Sequence, residues 1–133
     1  IATDANQAFF KFQTDATNSE AFTDFTLLHF VHSIGGTDYI SALPITIAAN
    51  TVYRLKIEID SDRKASIFVD GIQYNVTSTA GSTGGTAVTS GTTKSTALTD
   101  DVDFIPYIGI EAGAAAAEAL DVHYQAMSRD LFE

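Results

Sequence analysis

Carboxylates are the side chains best placed to do chemistry in this 133-residue sequence, and they gather in two places. The first is Glu58-Ile59-Asp60-Ser61-Asp62, where strand alternation would set all three acids on one face. Two closely set carboxylates can carry out retaining glycoside hydrolysis, one as nucleophile and the other as acid and base. Three features weigh against that use. The third acid is Asp, one methylene shorter than the Glu such a site employs. It runs directly into Arg63-Lys64, which reads as a hairpin turn and not as the wall of a groove. The chain has no Trp, so a stacking platform for sugar would have to come from Tyr or Phe. The plainer reading is a solvated strand face with Arg54 and Lys56 as ion partners. No residue is assigned a catalytic or cofactor-binding role.

The second gathering is Asp100-Asp101-Val102-Asp103, in a loop just before an expected strand. Loop carboxylates suit Ca2+, which takes six to eight oxygen ligands in flexible geometry. Asp100, Asp101 and Asp103 are therefore candidate Ca2+ ligands, set against the plainer reading of an Asp-rich turn with solvated charges. No other cofactor is expected. His29, His32 and His123 lack metal-ligand spacing, and on a strand His29 and His32 point to opposite faces. Zero Cys excludes disulfides, thiolate zinc sites and cysteine nucleophiles. No Ser lies in a nucleophile-elbow context, and Gly84-Gly85 leads into no helix that could cradle phosphate. Asn75-Val76-Thr77 matches an N-glycosylation sequon, a short pattern that is common by chance.

The elements that would position these residues read as short strands. Tyr53, Leu55, Ile57 and Ile59 alternate with Arg54, Lys56, Glu58 and Asp60, a period of two with one wet face. After the Ser61–Lys64 turn, Ala65–Asp70 returns as a strand carrying Ile67 and Val69. Asp70-Gly71 supplies a tight turn into Ile72–Thr77. Further strands are expected at Ala8–Gln13, Leu27–Ile34, Tyr39–Leu43, Phe104–Glu111 and Leu120–Met127, with Gly35-Gly36-Thr37-Asp38 as a turn. Nine or ten such strands predict an all-β chain, a single antiparallel β-sandwich or jelly-roll domain over residues 1–133. Its expected core is Phe10, Phe12, Leu55, Ile57, Ile59, Ile67, Val69, Ile108, Ile110, Val122 and Tyr124. Residues 112–119, with six Ala, read as one helical turn or a loop.

From Ser78 to Ser95, 14 of 18 residues are Gly, Ser or Thr. Such a stretch cannot bury enough apolar area to offset its own ordering entropy. It is expected to lie at or near a subunit contact in an oligomer, with a long hairpin folded over its own sandwich as the alternative.

Composition narrows the partners. Seventeen acidic against seven basic residues leave a net charge of −10, a field that repels phosphate backbones and anionic lipid. Neither nucleic acid nor membrane is expected as a partner. No apolar run approaches the length of a transmembrane helix. The sequence starts with Ile and not Met, which reads as a processed chain or a piece of a longer product.

Tyr53–Asp60 followed by Ile67-Phe68-Val69-Asp70-Gly71 resembles the hairpin of the concanavalin-like, laminin-G-type jelly roll. The run Leu98-Thr99-Asp100-Asp101-Val102-Asp103-Phe104-Ile105-Pro106-Tyr107-Ile108-Gly109-Ile110 adds to it, as does the ending Leu120-Asp121-Val122-His123-Tyr124-Gln125-Ala126-Met127-Ser128-Arg129. Together they are similar to virion proteins of tailed bacteriophages, often aquatic, over roughly residues 50 to 130. The resemblance implies a non-catalytic structural role in a virion or similar extracellular assembly, as capsid decoration or as a fibre or appendage. The implied partners are further copies of the chain and major capsid or fibre proteins. No family site residue transfers. The alternatives are a carbohydrate-binding module of a fibre or adhesin, with a glycan as partner, and more remotely a glycoside hydrolase.

Overall fold

A computed structural model of the chain describes residues 5–13, 26–81, 85–100, 105–108 and 120–128. The described residues hold seven strands and no helix. These are β1 (Gln7–Lys11), β2 (Leu27–Ile34), β3 (Thr37–Thr46), β4 (Leu55–Ile59), β5 (Ala65–Val69), β6 (Ile72–Tyr74) and β7 (Thr86–Ala87). They form two sheets, ordered β1-β2-β3-β7 and β4-β5-β6. Every pairing is antiparallel except the two-residue contact of β7 with β3, which is parallel. The described residues form an all-β sandwich.

Local chemistry explains the hairpins. Asp70 and Gly71 both take positive φ, 52° and 85°, the geometry of a turn whose twist matches its strands. Gly35 and Gly36 do the same between β2 and β3. The Asp70 carboxylate also accepts the Arg54 amide at 2.9 Å, which ties the turn to the start of β4. At the other end of that hairpin, Asp60 organises the turn. Its carbonyl accepts the Arg63 amide at 2.9 Å and its Oδ1 accepts the Lys64 amide at 2.8 Å. β3 runs to Thr46 and includes Pro44, further than the apolar pattern predicts. Pro44 has no amide to give the ladder, and the β2–β3 register slips there, from His29 opposite Ala42 to Leu27 opposite Thr46.

The core lies between the two sheets. Leu28, Phe30 and Leu43 meet Ala65, Ile67 and Val69, with Val76 at the side, and Ala8, Phe10 and Ile57 pack against them. Phe10 meets Phe30 edge to face, with ring centroids 5.5 Å apart. β2 is central in its sheet and buried from Leu28 to Ser33, which is why it reads as nearly continuous in apolar character. Its reverse face packs Val31 against Ile40 and Phe9.

Several expected core positions are not buried. Leu55 and Ile59 are 45% and 43% exposed, although they share the inner face with Ile67 and Val69. Both flank Ile57 on β4, the end strand of its sheet, and of the three only Ile57 packs against the core cluster. Phe12 lies past the end of β1 and is exposed.

Chain contacts divide the molecule into two compact units, Ile1–Val102 and Asp103–Glu133. In the second, the described residues 105–108 and 120–128 form no strand. Ile108, Val122 and Tyr124 are exposed there, which corrects their place in the expected core. Alternation assigns these side chains to a face but provides nothing to cover it. Ile110 and residues 112–119 lie outside the described residues.

Candidate functional site

The acidic strand does not converge on a cleft. Glu58 forms an ion pair with Lys56, two residues back on the same face of β4. Asp60 follows the end of β4, and its Oδ2 accepts Lys94 Nζ at 2.7 Å while its Oδ1 serves the turn. The Lys94 hydrogen bond, then the Lys64 amide, hold the Asp60 carboxyl below the usual carboxylate range, and the Lys94 ammonium is raised in turn. Asp62 is exposed within the turn. Two of the three acids thus act as framework. The expectation of Arg54 and Lys56 as partners holds in the Lys56–Glu58 pair, while Arg54 lies beside Asp70 and Gly71.

Asp100 is an exposed turn residue, and Asp101 and Asp103 lie outside the described residues. No group of three metal-ligating side chains gathers among the described residues.

The two histidines of β2 do face opposite ways. His32 stacks on Tyr39 at 4.8 Å and beside Phe30 at 5.9 Å, with Thr96 Oγ1 3.4 Å from its Nε2. It is fully buried, and that burial lowers its imidazole to about 4, so the ring is neutral at ordinary pH. His29 is buried on the reverse face, where Ala42 lies opposite it in the register.

The Gly/Ser/Thr stretch is held by its own chain. Val88 donates to the Ala42 carbonyl at 3.0 Å, beside the short β7–β3 pairing. Further on, backbone amides link the stretch to β6 and the residues after it: Asn75 donates to Thr89, Gly91 to Gln73 and Val76 to Thr93. Ser95 then closes on Ala65, donating to its carbonyl at 3.0 Å and accepting its amide at 2.8 Å. The stretch therefore runs from the edge of one sheet to the edge of the other. Among the described residues of the stretch, the amides of Gly81, Val88, Gly91, Thr93 and Ser95 all find acceptors within the chain.

Asn75 is the residue that sequence reading undervalued. Its Oδ1 accepts the Thr93 amide at 3.0 Å, and its Nδ2 donates to Thr89 Oγ1 at 3.3 Å. The amide nitrogen that a glycan would modify is thus engaged in clamping the arm, and Thr77 of the sequon is buried. Gly91 lies against the same amide, where a Cβ would overlap Asn75. Asn75→Ala is expected to cost about 1 kcal/mol, and Gly91→Ala to displace the clamp as well. The measurement is amide hydrogen exchange: Thr93 should exchange faster in both variants while the β5 amides keep their protection. Unchanged exchange at Thr93 would show that the clamp holds nothing.

A shallow depression of about 390 Å³ lies beside the β4–β5 hairpin, lined by Arg54, Leu55, Lys56, Phe68, Asp70 and Gly71. It joins two cations, a carboxylate and an aromatic ring. Lys56 Nζ already stands over the Phe68 ring, 5.1 Å from its centre, so a stacking ligand would have to displace it. Comparison with protein-family models, curated proteins and solved structures found no match.

Proposed function

We propose that this chain is a non-catalytic structural protein of a virion or similar extracellular assembly, decorating a capsid or forming part of a fibre or appendage. Its partners in this reading are copies of itself and the major capsid or fibre proteins. The supporting observation is the use made of the hairpin that carries the resemblance. Ile67 and Val69 are core, Asp70 and Gly71 form the turn, and Glu58 and Asp60 are ion-paired framework. Glu58, Asp60, Ile67 and Val69 line no part of the depression beside the hairpin, which takes in only Asp70 and Gly71 of these residues. The jelly-roll topology belongs to the same proposal.

Negative-stain imaging of the purified source material, with antibody against this chain, tests it directly. Label on regular particles or their appendages is the expected result, and label confined to soluble material would overturn it. In the same reading, neither Glu58→Gln nor Asp60→Asn abolishes a catalytic activity, and chelator shifts the melting temperature little. Hydrolysis of a β-glucan that disappears in Glu58→Gln would establish the hydrolase instead. A large loss of stability with chelator would promote Asp100, Asp101 and Asp103 to calcium ligands.

One observation favours the second reading, a carbohydrate-binding module. The depression beside Phe68 combines a ring with Arg54 and Asp70, groups that can donate to hydroxyls and accept from them. Glycan-array binding abolished by Phe68→Ala would select it.

A further inference from the structure

The two sides of the sandwich treat their strand edges differently. On one side the arm pairs with β3 and β6. On the other, β4 is an end strand, and among the described residues no strand flanks its outer edge. Asp70 donates its amide to the Arg54 carbonyl, so Arg54, Lys56 and Glu58 turn their backbone groups toward β5. By the alternation of an antiparallel ladder, Leu55, Ile57 and Ile59 turn theirs outward. Among the described residues this row has no backbone partner; such a row is a template for another strand, and β4 contains no Pro to block it.

The sequence of β4 specifies what fits. Around Ile57 the charges are antisymmetric: Lys56 before and Glu58 after, then Arg54 before and Asp60 after. An antiparallel copy centred on Ile57 sets Lys56 against Glu58 of the other copy, and Arg54 against its Asp60. The half-exposed Leu55 and Ile59 meet each other on the inner face. A centre one residue either way sets Lys56 against Lys56 or Glu58 against Glu58. Like charges directly opposite are destabilising, so only one register suits the strand. Two copies at −10 each repel overall, yet two of the chain's seven basic residues stand on this edge and leave it locally balanced.

We propose that β4 is a self-complementary docking edge, through which two copies pair antiparallel about Ile57 and join their three-stranded sheets into one of six strands. This deepens the self-association part of the functional reading above and rests on it only for the identity of the partner.

The test is sedimentation of the purified chain by analytical ultracentrifugation across concentration and salt, with far-UV circular dichroism to confirm that each variant folds. The exposed Lys56 and Glu58 make charge reversal compatible with folding. The parent is expected to dimerise, and Lys56→Glu and Glu58→Lys should each weaken dimerisation by about tenfold or more. Mixing these two variants restores the dimer as a heterodimer, because the carboxylate introduced at position 56 of one copy would face the ammonium introduced at position 58 of the other. The double variant K56E/E58K restores it as a homodimer. Dimers that persist unchanged in both single reversals would remove this interface and leave self-association through another surface. A chain that stays monomeric at millimolar concentration would remove both.

Discussion

Phe30→Ala is expected to cost about 3–5 kcal/mol, a large part of the stability of a domain this size. Phe30 is fully buried on the central strand β2, with Phe10 edge-on to it and Leu43 and Ile67 in the same cluster. Neighbours on two sheets cannot collapse into the space without breaking ladder hydrogen bonds, so most of the cavity would remain. Phe12→Ala provides the contrast. Phe12 is 39% exposed beyond the end of β1 and should cost much less. Chemical denaturation of both variants gives the comparison. Equal losses would mean that the aromatic core is not where Phe30 places it.

The second large effect is with acid. Burial depresses His32 to about 4 in the folded chain, against an ordinary value near 6.5 when unfolded. Below pH 6.5 the unfolded chain therefore binds a proton that the folded one refuses. Stability is fully present above pH 6.5 and falls as pH drops toward 4, by about 3 kcal/mol at the lower end. Asp60, whose folded carboxyl is depressed, contributes in the same direction only below its ordinary value of 3.8, so the two effects occupy successive ranges. The Lys94 partner works oppositely at high pH, where its stabilisation is lost as pH rises past 10.5 and through its raised value. A His32→Phe variant keeps a ring against Tyr39 and should show a flatter stability profile between pH 6.5 and 4. A parent profile that is already flat across that range would show that His32 is not held neutral by the fold.

The candidate site was legible in part. Glu58 and Asp60 read as a wet strand face with Arg54 and Lys56 as partners, and Lys56 is the partner of Glu58. The partner of Asp60 is Lys94, 34 residues away, which no local pattern could indicate. Asn75 was legible only as a sequon, because a three-residue motif cannot report that its side-chain amide clamps Thr89 and Thr93. The antisymmetric charges about Ile57 were visible in the residues, but they acquire meaning only once β4 is known to end its sheet.

What the amino-acid sequence determined by itself is local. Period-two alternation sets Ile57, Ile67 and Val69 on one face, and Asp70-Gly71 and Gly35-Gly36 close their hairpins because those residues tolerate positive φ. Absence of Cys determines that no disulfide holds the chain. What only the tertiary structure decided is which of those faces is covered. Leu55, Ile57 and Ile59 are equivalent in pattern, yet only Ile57 packs against the core cluster while the other two stay nearly half exposed. The route of the Gly/Ser/Thr arm was decided in the same way, since hydroxyl and backbone groups bond to whatever edge lies within reach. Alternation is a property of one strand, whereas burial and edge pairing depend on neighbours brought together from distant parts of the chain.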